Sequence, residues 1–151
     1  MDEICYEPIG VVESPFETPA DVPVNATDGT DTSGIVRLEP AYREGLCGLE
    51  DFSHVVIVAH LHLSPDETPM RISPPFAPEA EPGVFATSSP VRPNNVALST
   101  VRLTDVEGTA LSVEEIDLVD GTPVLDVKPF APKEHELEGL ECGWLDEHTD
   151  Q

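Results

Sequence analysis

Three histidines near the middle of the chain, His54, His60 and His62, are the first side chains whose type and spacing could do chemistry. Imidazole nitrogens bind transition metals and titrate near neutral pH. His60 and His62 are two residues apart, so a strand would present both on one face. No cysteine or carboxylate nearby completes a metal-ligand set, so we predict no metal site and expect these side chains to line a pocket or form hydrogen bonds. A metal-dependent hydrolase that uses the three histidines is one open hypothesis.

Arg92 lies between Pro90 and Pro93 in a chain with only seven basic residues. Prolines stiffen the segment, and a guanidinium held on a stiff loop is well placed to bind a carboxylate or a phosphate. Pairing of Arg92 with one of the many acidic residues is the open alternative.

Two aspartates lie close together in the segment from Ile116 to Gly121. Asp120 comes directly before Gly121 and is most simply a turn residue. Asp117 stands between Ile116 and Leu118 and should face the side opposite to theirs. The sequence leaves open whether that side is solvent or interior.

The standard cofactor and nucleophile motifs are absent from the sequence, which contains no GxGxxG after a strand, no P-loop, no HExxH and no GxSxG. Their absence disfavours a Rossmann dehydrogenase, a Rossmann-type methyltransferase, a P-loop ATPase and a zinc protease.

Length and composition limit the possible fold classes and indicate the solvent in which the protein works. The 151 residues are one domain's worth of chain, so we predict a single domain over residues 1–151 with an acidic tail from about residue 133. The net charge is −23, yet a hydrophobic fraction of 39% argues against disorder. We interpret the acidity as adaptation to molar salt, where the Debye length is about 3 Å at 1 M. We expect a halophilic, cytoplasmic protein with reduced cysteines and no membrane span.

Apolar periodicity predicts an all-β fold, namely a single-sheet antiparallel β-barrel with long proline-rich loops and a short C-terminal helix. The pattern slips at Glu114 and Glu115, which indicates a β-bulge. The Asp120-Gly121 dipeptide predicts a hairpin turn between the runs on its two sides. The predicted strands are 9–12, 34–38, 55–63, 83–87, 101–103, 111–118 and 124–127.

Two polar, proline-containing segments, 17–33 and 64–82, cannot be central strands, because proline cannot donate to the ladder. Loops of this length are usually functional or disordered, so we expect substrate lids. In the tail, the spacing of Leu137, Leu140 and Trp144 favours a short helix that docks by one face.

Four sequence blocks, taken together, resemble one protein family. They occur in order between residues 8 and 132 and read PIGVVESPF, GLEDFSHVVIV, GVFATSSPVRPNNVALS and DLVDGTPVLDVKPFAP. The chain resembles the TsaA-like family of tRNA methyltransferases, also called TrmO.

The resemblance implies an S-adenosylmethionine-dependent enzyme that methylates N6 of the threonylcarbamoyl-modified adenosine next to the tRNA anticodon. It also implies a homodimer of single-sheet barrels. The cofactor-contacting positions of the family fall on Leu61, His62, Ser88, Leu98, Glu115, Ile116, Asp117 and Leu118. Relatives usually have an arginine where this chain has Ser88.

From these residues we predict a direct displacement in which Asp117 or His62 accepts the proton from N6. Arg92 and Lys128 would bind phosphate or the threonyl carboxylate. Phe76, Phe85 and Tyr42 could stack on bases of the anticodon loop, although we expect Phe85 in the core. The alternative function is a non-catalytic barrel that binds S-adenosylmethionine or a nucleotide and has lost methyl transfer.

Overall fold

The computed structural model describes residues 1–23, 32–132 and 137–148. These residues group into two compact units, one formed by Met1–Ser64 and Asn95–Phe130 and the other by Pro65–Asn94 and Ala131–Gln151. No helix in the described part of the chain has the length and apolar character that a membrane span requires.

The first unit is a closed antiparallel barrel of six strands in the order β1-β2-β5-β4-β3-β6. This confirms the predicted all-β barrel. The strands are β1 (Gly10–Glu13), β2 (Ser33–Leu38), β3 (His54–His60), β4 (Val96–Glu107), β5 (Ala110–Glu114) and β6 (Pro123–Pro129).

Alternation of side chains along the strands fills the barrel. In β3, Val55, Ile57 and Ala59 are fully buried, whereas the residues between them are not. Burying a valine or isoleucine side chain contributes about 1.5–3 kcal/mol. The same alternation in the other strands completes one apolar core, which includes Val12, Val36, Val101, Leu103, Leu111, Val113 and Val124.

The predicted hairpin around Asp120-Gly121 is wrong, although the turn itself exists. Thr122 N–H donates to the Val119 carbonyl, and Gly121 has φ +80°. However, β5 pairs with β2 and β4, while β6 pairs with β1 and β3. The turn therefore joins strands that are not neighbours. The two-residue hairpin lies instead between β4 and β5, where Glu107 pairs with Ala110.

The predicted bulge at Glu114 and Glu115 is also wrong, because β5 ends at Glu114. Glu115 has φ +64°, which takes the chain out of the ladder. Register shifts occur elsewhere, between Leu103 and Asp105 and between Val58 and Ala59.

The described residues of the second unit form short helical turns and no strand. The predicted strand over residues 83–87 is wrong, since Val84–Ala86 is a 3₁₀ helix. Only Val84 of these three residues is buried, and the Thr87 hydroxyl donates a hydrogen bond to the Val84 carbonyl at 2.9 Å. Residues 65–82 contain no strand beyond a bridge between Arg71 and Gly83, as their prolines predict.

The predicted C-terminal helix is shorter than expected. It is a 3₁₀ helix, Gly143–Glu147, so it includes Trp144 but neither Leu137 nor Leu140, both of which are exposed. Lys133 and part of the 17–33 segment lie outside the described residues. Within the described ranges, further 3₁₀ helices are Pro19–Asp21, Pro40–Leu46 and Leu49–Asp51.

Candidate functional site

Residues 115–122, called here the cap segment, cover one end of the barrel. Ile116, Leu118 and Val119 are buried, and Ile116 is only 1% exposed. Alternating burial in this loop imitates a strand, which explains why periodicity predicted one. The apolar side chains of the cap segment pack into the end of the barrel, whereas Glu115 and Asp117, which alternate with them, are exposed.

Hydrogen bonds tie the cap segment to the end of β1 and the residues that follow it. Gly121 N–H donates to the Val12 carbonyl at 2.8 Å, and Asp120 N–H donates to the Phe16 carbonyl at 2.7 Å. Ser14 donates twice, from its hydroxyl to the Leu118 carbonyl at 2.6 Å and from its N–H to the Asp120 carboxylate at 3.0 Å. The segment is therefore held in one conformation.

Close packing at Gly34 holds the start of the segment. A Cβ at Gly34 would lie 2.8 Å from the Glu13 carbonyl oxygen and 3.1 Å from Ile116 Cγ2. Glu115 next to this contact has the left-handed backbone conformation, which costs an L-residue about 1–2 kcal/mol. Such strain persists only where the surroundings impose it.

Asp117 accepts a hydrogen bond from the Ser99 hydroxyl. Ser99 is 4% exposed and faces inward from β4, whereas Asp117 is exposed. A buried donor thus orients an accessible carboxylate. Ser99 was not predicted as a site residue: its alternation with Val101 and Leu103 places it on the inward face of β4, but only the fold shows that it contacts Asp117.

His62 lies beside the cap segment, beyond the end of β3. Its Nε2 would be 3.9 Å from a Cβ on Gly121. The preceding residue, Leu61, donates its N–H to the Asn95 carbonyl at 2.8 Å. His62 was expected on the same strand face as His60, but β3 ends at His60 and a turn follows.

The three histidines do not meet. His54 and His60 stand at opposite ends of the seven-residue strand β3, which separates them by about 20 Å. His54 Nδ1 is 2.8 Å from the Ser53 hydroxyl instead. Among residues 1–23, 32–132 and 137–148, no three histidine, cysteine or acidic side chains form a metal-ligating group.

Leu98 and Lys128 lie on the outer face of the barrel, apart from Asp117. Leu98 is 74% exposed and points away from the side on which its neighbour Ser99 is buried. Lys128 forms an ion pair with Asp126 at 2.9 Å. The cap segment thus brings together Glu115, Ile116, Asp117 and Leu118 with the neighbouring His62, but not these two residues.

In the second unit, Arg92 binds backbone rather than an acid. Its Nη1 donates to the carbonyls of Thr87 and Ser89 at 2.9 and 3.0 Å. No carboxylate of the described residues lies within ion-pair distance of it. Arg92 thus fixes the loop that carries Ser88, whose side chain is exposed.

The aromatic side chains of the second unit form a small cluster. Phe76 and Trp144 stack with ring centroids 5.9 Å apart, and Trp144 Nε1 donates to the Ala86 carbonyl at 2.8 Å. Phe85 is 77% exposed, so the expectation that it lies in the core is wrong.

Two shallow surface grooves lie on the barrel unit, and neither includes Asp117 or His62. One involves Arg43, Cys47 and Glu50, and the other Glu13, Ser33 and Thr104. They contain none of the predicted site residues, although the second groove is also lined by Ser14 and by Asp120 of the cap segment.

Comparison with known proteins agrees with the resemblance. The family model of the tRNA-methyltransferase O N-terminal domain matches residues 11–135. A probable S-adenosyl-L-methionine-binding protein of Pyrococcus abyssi is 40% identical over 146 residues, which are 97% of this chain and 78% of that protein. The human tRNA (adenine(37)-N6)-methyltransferase is 36% identical over 132 residues, 84% of this chain and 30% of that enzyme.

The crystal structure of TrmO from Pseudomonas aeruginosa has the same fold. It matches with a TM-score of 0.76 and 33% identity over 94% of this chain, and the chain spans 62% of that structure. The match of the family model to most of the chain, together with this structural likeness, shows that the chain belongs to the tRNA-methyltransferase O (TrmO) family.

Proposed function

We propose that the protein binds S-adenosylmethionine at the capped end of its barrel and transfers the methyl group to N6 of the adenosine next to the tRNA anticodon. The observation that carries the proposal is the family match over residues 11–135, which includes every predicted site residue. Relatives named for S-adenosylmethionine binding or for tRNA adenine methylation support both parts.

The residues around the cap segment fit this cofactor. Glu115 and Asp117 present carboxylates to solvent, and a sulfonium with an ammonium group is cationic. The side-chain oxygen of Asn95, beside Leu61, is buried and accepts no hydrogen bond from the part of the chain that the structure describes. A ligand with both a positive charge and a neutral donor would satisfy both features.

When bound, S-adenosylmethionine supplies an electrophilic methyl group on its sulfonium sulfur. The protein must hold N6 in line with that methyl group, and such positioning can contribute about 7–11 kcal/mol to the rate. Asp117, oriented by Ser99, is the candidate for the group that takes the proton from N6. His62 is the alternative acceptor, and a positioned base contributes roughly 10²–10⁴-fold.

We further propose threonylcarbamoyl-adenosine as the acceptor. Its nitrogen is urea-like and weakly nucleophilic, which explains the need for a base. Its carboxylate requires a cation, for which Arg92 and Lys128 are the candidates. Among the described residues, Arg92 forms hydrogen bonds only through Nη1, to backbone carbonyls, whereas Lys128 is partly neutralised by Asp126.

An acidic surface is compatible with RNA binding in concentrated salt. Affinity from phosphate neutralisation falls steeply as salt rises, so it contributes little there for any protein. Recognition then depends on stacking and shape in the single-stranded anticodon loop. Phe76, stacked on Trp144, and Tyr42 are exposed candidates. On this basis we propose a halophilic, cytoplasmic enzyme.

A homodimer is part of the proposal. The outer face of β3 and β4 carries Val56, Val58, Val96 and Leu98, and the last two are exposed. Val58 pairs with Leu98 across the strands, which makes the patch continuous. Replacing Leu98 with aspartate should convert a dimer to a monomer in size-exclusion chromatography at molar salt.

Methyl incorporation into threonylcarbamoyl-modified tRNA at molar salt tests the function. The wild-type protein should methylate it, and Asp117→Asn and Arg92→Ala should each reduce the rate at least tenfold. Asp105→Asn, an exposed carboxylate elsewhere on β4, is the matched control and should retain full activity. Full activity of Asp117→Asn and Arg92→Ala would remove both residues from the mechanism.

A non-catalytic binding barrel is the second candidate, favoured by Ser88 and by relatives named only for binding. Mass spectrometry of tRNA nucleosides from a deletion strain separates the two. Loss of the methylated base supports the enzyme, whereas an unchanged nucleoside profile supports the binding protein.

A further inference from the structure

The side chain of Asn95 lies on the inward face of the barrel at the end where the cap segment sits. The backbone carbonyl of Asn95 accepts a hydrogen bond from the Leu61 N–H. This bond continues the β3–β4 ladder one step beyond the pair formed by His60 and Val96. Alternate residues from Asn95 onward, Ala97, Ser99 and Val101, share one face. Ser99 and Val101 on this face are buried.

The amide oxygen of Asn95 is buried and accepts no hydrogen bond from any described residue. Buried polar atoms in folded proteins almost always have a partner, because an unpaired one costs the full loss of its hydration. An orphaned acceptor beside candidate cofactor residues therefore points to a donor that arrives with a ligand.

The surroundings decide what kind of donor fits. Ala97 and Leu61 next to Asn95 are apolar, and a cation would lose more hydration there than a neutral amide oxygen returns. Cationic groups have better partners in the carboxylates of Glu115 and Asp117. A neutral N–H donor suits Asn95, and among the groups of an adenosine-containing cofactor this is the exocyclic amine of adenine.

We propose that the side-chain oxygen of Asn95 accepts a hydrogen bond from the exocyclic amino group of the cofactor's adenine and thereby selects adenine over other bases. This assignment depends on the proposed function, since it requires that the barrel bind an adenosine cofactor. It makes Asn95 a specificity-determining residue that takes no part in methyl transfer.

The test measures, by calorimetry at molar salt, the affinity of the wild-type and Asn95→Ala proteins for two ligands. The ligands are S-adenosylhomocysteine and its analogue in which hydrogen replaces the 6-amino group. Wild-type protein should prefer the amino ligand by about tenfold, the value of one neutral hydrogen bond. Asn95→Ala should bind both ligands equally. Asn94→Ala, a neighbouring exposed amide, is the matched control and should keep the wild-type preference.

Thermal unfolding of the ligand-free proteins gives a second measurement. Asn95→Ala removes an unpaired acceptor, so its melting temperature should equal or exceed that of the wild type. A fall of several degrees would mean that the amide has a structural partner, and would overturn the assignment.

The outcomes separate this assignment from the proposed function. Wild-type protein that binds neither ligand would refute both. Wild-type protein that binds both ligands equally, or an Asn95→Ala protein that keeps the tenfold preference, would refute the assignment alone. In either of those two cases cofactor binding would stand.

Discussion

Glu115 offers a way to separate backbone strain from side-chain chemistry at the cap segment. Its φ of +64° costs an L-residue about 1–2 kcal/mol, and glycine adopts this conformation freely. Glycine in turn loses about 0.5–1 kcal/mol through its larger entropy in the unfolded chain. Glu115→Gly should therefore raise the free energy of unfolding by about 0.5–1 kcal/mol. Glu115→Ala keeps the strain and should stay close to the wild type.

The assay is thermal and denaturant unfolding of the three proteins at one molar salt concentration. A gain of this size corresponds to a rise of about 1–4 °C in melting temperature for a chain of this length. Both variants lose the carboxylate, so both should weaken S-adenosylmethionine binding by the same factor in calorimetry. A glycine variant no more stable than the alanine variant would refute the strain argument. Much weaker binding by glycine alone would show that the strained backbone itself positions the ligand.

Three other predictions concern single contacts. Arg92→Ala removes two hydrogen bonds to backbone carbonyls, so amide exchange in that loop should accelerate about 5- to 100-fold by NMR. Ser99→Ala removes the hydroxyl that donates to Asp117, so it should reduce the free energy of unfolding by about 1 kcal/mol and should also reduce cofactor affinity several-fold. Unchanged affinity would show that the Asp117 carboxylate does not need this hydrogen bond to be oriented. The hydrogen bond from Arg37 lowers the pKa of Glu13, so the stability from this pair is present above the ordinary glutamate pKa and is lost as pH falls below it; Arg37→Ala should raise the NMR-measured pKa of Glu13.

The barrel could be predicted from the sequence because its signal is local. Alternation in Val55–Ala59, and in the segments around Val101 and Leu111, reports burial on one face of each strand. Strand order is not local. Asp120-Gly121 has the composition of a hairpin turn, yet closing the barrel places β1 and β3, not β5, beside β6. The residue types of a turn predict the bend, but they do not predict which strands pair on its two sides.

The site was predicted unevenly for the same reason. The family resemblance placed Ile116, Asp117 and Leu118 in the candidate site, whereas their apolar periodicity predicted the wrong backbone, because a loop that fills the barrel end and a strand share that periodicity. Ser99 and Asn95 were missed, because a serine and an asparagine within an apolar run show no signal until their neighbours in space are known.

The bonds that hold the cap segment join Ser14 to Leu118 and Asp120, more than a hundred residues away along the chain. Contacts of such high sequence separation form late, because loop closure is entropically costly. During synthesis the capped end of the barrel can therefore assemble only after most of the strands have been made. Removing the first sixteen residues would accordingly delete β1 and Ser14 and abolish the anchorage of a loop that lies more than a hundred residues later in the chain.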